Sequence, residues 1–153
     1  MTDPLANIRA FLPLSERLAT SGQPDAPQLA AIGAAGYEVV VNLLPPQEAL
    51  PNEADMIASC GMEYVQIPVE WNAPTLDDLE RFFAVLQARA DKKVFVHCAA
   101  NKRVSAFLYL YRVLHQGMAE EEAAKDMRRI WSPNETWQQF ITAVMQRQPR
   151  AAL

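Results

Sequence analysis

Disulfide chemistry has almost nothing to work with in this chain, whose 153 residues include only two cysteines, Cys60 and Cys98. One pair is too few for the stapled scaffold of a small secreted protein. A chain of this length, half of it hydrophobic, buries a core without staples. A free thiol in a reducing, cytoplasmic setting is the expectation. A surplus of positive charge is missing as well. Fourteen Lys and Arg stand against eighteen Asp and Glu, for a formal net charge of -4. That argues against a general nucleic-acid binder, whose affinity rests on a basic face, so any cationic function must be local. No apolar run approaches the ~20 residues of a membrane span. The N-terminus, MTDPLANIRAFLPLSERL, carries an acid at once and no unbroken apolar segment, so neither a membrane anchor nor a signal peptide is expected. Metal-ligand spacings and nucleotide-binding fingerprints are also absent, and no metal or cofactor is expected.

What the chain has is alternation. Residues 18–21 suit a short strand ended by Gly22-Gln23-Pro24. Residues 26–35 suit a helix with Pro27 in its first turn and Gly36 as its stop. The run 37–44 is continuous and β-branched, as in a strand buried on both faces, and Pro45-Pro46 ends it. A helix over 52–59, closed by Gly61, leads to a strand over 62–69 and then to the loop Glu70-Trp71-Asn72-Ala73-Pro74. Thr75 caps a third helix, with acids in its first turn and apolar positions at 79, 82, 83 and 86. Val94-Phe95-Val96 is a strand. From Arg103 to about 148 the chain reads as helical in pieces, broken at Gly117 and at Ser132-Pro133-Asn134, and residues 148–153 read as frayed. This order predicts a three-layer α/β domain, a mostly parallel central sheet of about four or five strands flanked by helices. One domain over 1–153 is expected, its core at about 15–147. Ligands of such sheets gather beyond the carboxyl ends of the strands. Both the 70–74 loop and the loop after Val96 lie there.

The second of these loops carries the chemistry. In KKVFVHCAANKRVSAF, residues 92–107, a strand delivers His97 and Cys98, and Arg103 stands at a helix start. Successive backbone N–H groups in a tight strand-to-helix turn make a nest for an oxyanion, and the helix adds its positive end. The same field favours a thiolate at the base of the turn, and a guanidinium beside it can grip two phosphoryl oxygens. The turn needs one residue at positive φ. No glycine lies between Cys98 and Arg103, and Asn101 is the best substitute. Ala99 and Ala100 leave the rim open, and Lys102 adds positive potential there. An oxyanion such as phosphate or sulfate is the expected occupant, and the expected partner is a phosphate-bearing small molecule or phosphoprotein.

This stretch resembles the phosphate loop of the protein tyrosine and dual-specificity phosphatase superfamily: apolar strand, His-Cys, two residues, Gly, two residues, Arg, Ser or Thr, helix. Ser21-Gly22-Gln23-Pro24, Ala35-Gly36-Tyr37 leading into Val41-Asn42-Leu43, and Ile67-Pro68-Val69 are similar to a compact bacterial branch of it. The resemblance implies a metal-free cysteine phosphatase. Cys98 would attack phosphorus, Arg103 and the backbone of 99–104 would hold the phosphoryl group, and Glu70, the only carboxylate of the 70–74 loop, would stand where these families carry a proton-donating Asp. Trp71 would wall the pocket. His97 would hold loop backbone from behind, Ser105 would bond the sulfur or merely open the helix, and Asn42 would brace the loop or simply end its strand.

One departure stands out. The superfamily places five residues between Cys and Arg, and this chain places four. Counted from Cys98, Val104 takes the arginine position, and one residue at a helix start swings a side chain by about 100°. A four-residue spacing also resembles the loop of rhodanese-type sulfurtransferases, so sulfur transfer and a non-catalytic anion-binding module stay open beside phosphate hydrolysis. Cys60 and the aromatic set Trp131, Trp137 and Phe140 read as packing.

Overall fold

The computed structural model describes residues 3–147, so the fraying expected at 148–153 lies outside the described residues. Strand β1 (Leu12–Pro13) is followed by β2 (Leu18–Ser21), helix α1 (Ala26–Ala34), β3 (Val39–Asn42), α2 (Glu53–Ser59), β4 (Glu63–Gln66), α3 (Leu76–Ala88), β5 (Val94–His97), α4 (Lys102–Leu114), α5 (Glu120–Ile130) and α6 (Glu135–Arg147). The five strands form one sheet in the order β1-β2-β5-β3-β4. β1 runs antiparallel to β2 and the other pairs are parallel. The sequence does not signal β1. Two residues are too short for a periodic pattern, and the strand is held at an edge by its pairing with Ala19 and Thr20.

Continuous apolar strands make sense in this sheet because both faces are covered. Val39, Val41, Val94 and Val96 belong to one core with the buried Leu79, Phe82, Phe83 and Leu86 of α3 and most of α4. Between them, Val40 and Phe95 point into a second core with Leu29 and Ile32 of α1, Ile57 of α2, and Leu5 and Ile8 near the N-terminus. Burying one such side chain contributes about 1.5–3 kcal/mol, so each strand is held from both sides. The runs 37–44 and 62–69 are shorter as strands than the sequence suggests. The ladders end at Asn42 and Gln66, where Ile67 donates its N–H to the Asn42 carbonyl, and beyond them Val69 donates to the Leu43 carbonyl. Cys60 is exposed rather than packed, since the turn closing α2 carries it out of the core. Among the described residues, no helix is long and apolar enough to cross a membrane.

Register positions the loops. Ser21, His97 and Asn42 stand side by side as the last residues of β2, β5 and β3. The segments leaving those three strands therefore meet at one edge of the sheet.

Candidate active site

The loop after β5 is held from three directions. Asn101 adopts φ 64° at the head of α4, the left-handed conformation that the glycine-free turn demands. Its Nδ2 donates to the Ala10 carbonyl and to Thr20 Oγ1, both at 2.9 Å. Gly22 bridges Ala100, and the Gln23 N–H donates to the Ala99 carbonyl at 3.0 Å. His97 Nδ1 lies 3.1 Å from the Cys98 carbonyl. In a trans peptide the C=O and the next N–H point opposite ways. Drawing back the carbonyls of Cys98 and Ala99 therefore turns the N–H groups of Ala99 and Ala100 away from these anchors.

Gly22 fits this arrangement for a steric reason. A Cβ there would lie 2.4 Å from the Ala99 carbonyl oxygen, a backbone atom with little freedom to move. Gly22→Ala is expected to cost about 1–3 kcal/mol of stability and to loosen the cysteine loop. Urea unfolding with the intrinsic tryptophans as probe measures the first, and an unchanged midpoint would show that the loop has slack at this contact.

The loop forms the floor of a cavity of about 330 Å³, lined by Glu48, Trp71, Cys98, Ala99, Ala100, Lys102 and Arg103. Six of these seven are residues to which the sequence points. Two cations face one carboxylate, so the cavity is locally positive in an acidic chain. Cys98 is 1% exposed, deep in the nest. Arg103, 6% exposed, is anchored across the cavity: Nη1 donates to the Val69 carbonyl at 2.8 Å and Nη2 to Glu48 Oε1 at 2.9 Å. Its guanidinium carbon lies 5.5 Å from the centre of the Trp71 ring. Lys102 lies 5.6 Å over Trp131.

Trp71 is fixed by its surroundings. Its carbonyl accepts from Trp137 Nε1 at 2.9 Å, and its ring packs 5.3 Å from Trp131 and 5.9 Å from Trp137. Trp137 is fully buried, as expected, and Trp131 is half-buried and packs against the same core. Glu70 is exposed beside Trp71, outside the cavity lining. Val104 is buried in the core. The Ser105 hydroxyl donates to the Lys102 carbonyl and accepts from Trp131 Nε1 at 3.0 Å, an engagement with the helix start and the tryptophan rather than with the sulfur. Asn42 ends its strand instead of bracing the cysteine loop. Its Oδ1 accepts from the Leu44 N–H and its Nδ2 donates to the Tyr64 hydroxyl.

Two acids at the site escape sequence reasoning. Glu48 holds Arg103, and Glu53, 2% exposed, lies 2.6 Å from His97 Nε2. The available signal is topological. Both follow β3, whose carboxyl end adjoins that of β5.

Residues 13–147 match the family described as DSP-PTPase phosphatase fused to NAD+ kinase. A beta-lactamase hydrolase-like protein of Xylella fastidiosa (strain Temecula1) is 30% identical over 114 residues, 71% of this chain and 26% of that protein. The chain thus spans about a quarter of the length of the curated relatives it matches. Among solved structures, a candidate phosphatase of the DUF442 group from Shewanella putrefaciens CN-32 shares 36% identity with a TM-score of 0.82, over 95% of both chains. TpbA of P. aeruginosa, solved as a C132S variant in complex with pTyr, shares the fold at 16% identity and a TM-score of 0.67, over 90% of this chain and 78% of that one.

Proposed function

The chain belongs to the DSP-PTPase phosphatase family, and we propose that it hydrolyses phosphomonoesters through a thiophosphate intermediate on Cys98. The observation that carries this reading is the convergence of Cys98, Lys102 and Arg103 on one cavity at a strand–turn–helix junction. The thiolate of Cys98 attacks phosphorus and the P–O ester bond breaks. Backbone N–H groups of residues 99–104, together with Arg103, hold the phosphoryl oxygens. The leaving oxygen takes a proton from Glu70. Water then attacks the phosphocysteine while Glu70 takes a proton back, which releases phosphate and restores the thiolate. Glu70 is assigned the acid role because Glu48, the carboxylate inside the cavity, is committed to Arg103.

Trp71 beside Arg103 supports an aryl ester, and phosphotyrosine, the ligand in the TpbA complex, is the natural member of that class. Rapid acid quenching of the enzyme mixed with ³²P-labelled aryl phosphate tests the scheme. The expected result is turnover with label on the peptide that contains Cys98. Binding of inorganic phosphate with neither turnover nor label would identify a non-catalytic anion-binding module instead. A persulfide on Cys98 after thiosulfate treatment would point to sulfur transfer.

A further inference from the structure

Glu53 takes no part in the scheme above, yet it occupies a costly position. It is the first residue of α2, and its carboxylate and the His97 ring are 1% and 0% exposed. One oxygen lies 2.6 Å from His97 Nε2, and the other accepts from Gln23 Nε2 at 2.8 Å. A buried carboxylate is retained only where hydrogen bonds and a counter-charge offset its lost hydration.

Hydrogen-bond chemistry constrains where the protons sit. The Cys98 carbonyl, 3.1 Å from Nδ1, can only accept, so Nδ1 carries a proton. Nε2 shares a proton with the Glu53 oxygen 2.6 Å away, and an ionised Glu53, which also accepts from Gln23, leaves that proton on the ring. A doubly protonated His97 satisfies both contacts at once, and the carboxylate supplies the opposite charge that a fully buried imidazolium requires.

We infer that Glu53 is a positioning residue for the nucleophile: it keeps His97 doubly protonated, so that a cationic N–H grips the Cys98 backbone and favours the thiolate. This rests on the reading of Cys98 as the nucleophile. The ion pair is neutral overall, but its cationic member bonds the Cys98 backbone directly, whereas Glu53 is linked to it through His97. Glu53 supports the loop a second time through Gln23, whose backbone N–H holds the Ala99 carbonyl. The other charged groups around Cys98 are Arg103, Lys102 and Glu48 in the cavity lining. On the β4 side, burial raises the Tyr64 phenol above its ordinary value, the Asn42 hydrogen bond opposes the rise, and the charge of Glu53 adds to it. Removing only the carboxylate charge leaves all of these in place. His97 then gives up a proton rather than stay charged without a partner, and Cys98 loses a neighbouring cation.

Glu53→Gln, which preserves shape, tests this in a Cys60→Ser background so that iodoacetamide reports Cys98 alone. The midpoint of the alkylation rate against pH is expected to move up by about one pH unit, a roughly tenfold loss of reactivity below it. Imidazole ¹⁵N resonances are expected to show both His97 nitrogens protonated in the parent protein and a neutral ring in the variant. A variant that loses thermal stability but keeps its midpoint overturns the inference, because Glu53 is then only a structural strut. A neutral His97 in the parent protein overturns it without any variant having to fold. If Cys98 resists alkylation at every pH, the nucleophile reading falls and takes this inference with it. A reactive Cys98 with an unmoved midpoint overturns the inference alone.

Discussion

Cys98→Ser is expected to lower kcat for p-nitrophenyl phosphate by about 10⁴-fold or more, while inorganic phosphate still binds. A thiol is partly ionised near neutral pH and is intrinsically very nucleophilic. A serine hydroxyl needs an adjacent general base to react at all. The cavity lining offers none: Lys102 and Arg103 are cations, and Glu48 is bonded to Arg103. His97 is no substitute, since its two nitrogens face the Cys98 carbonyl and Glu53. Binding survives because the cradle is backbone, anchored by Asn101, Gly22, Gln23 and His97 rather than by the sulfur. Steady-state kinetics, titration calorimetry with phosphate and a thermal melt read the three parts separately. Turnover within tenfold of the parent, in a variant that melts at the same temperature, would remove Cys98 from the chemistry.

Much of this site is legible in the amino-acid sequence. The strand into Cys98 announces itself as an apolar run, and Asn101 is the one residue between Cys98 and Arg103 suited to positive φ, which it adopts. Trp71 can be placed near the loop because both follow parallel strands. What stays hidden are contacts set by sheet order. Glu48 and Glu53 lie 55 and 44 positions from Arg103 and His97, and they reach them because β3 pairs with β5 in register. Hydrophobic periodicity says that a strand exists and is silent about its neighbour. The rule of right-handed crossovers limits the choices without selecting the order β2-β5-β3. Of the two roles open to Ser105, its contacts match the helix-opening one, for a more local reason. A hydroxyl in the first turn of a helix has the carbonyl three residues back within reach, and here Lys102 takes it while Trp131 donates to it.

Arg103→Lys is expected to reduce kcat/KM by about 10²–10³-fold, and the reason bears on the short Cys-to-Arg spacing. Counted from Cys98, the arginine comes one residue early, yet α4 begins at Lys102 and its side chain still lines the cavity. The Val69 carbonyl and Glu48 account for two of its five N–H donors and clamp the guanidinium against Trp71. That leaves three N–H donors, which the proposed scheme assigns to phosphoryl oxygens. A lysine has three donors on a compact charge, which cannot span Val69, Glu48 and a phosphoryl group together. The change therefore keeps the charge and removes the fork, so phosphate affinity should weaken far less than turnover. A lysine variant that keeps kcat within threefold would show that Arg103 ties the 69–71 segment to the Glu48 segment and contributes to the cavity only its charge. A fall in kcat with phosphate binding largely retained would mean that the clamp on Val69 and Glu48 compensates for the missing residue, by presenting to the transition state a guanidinium that the helix alone would aim about 100° away.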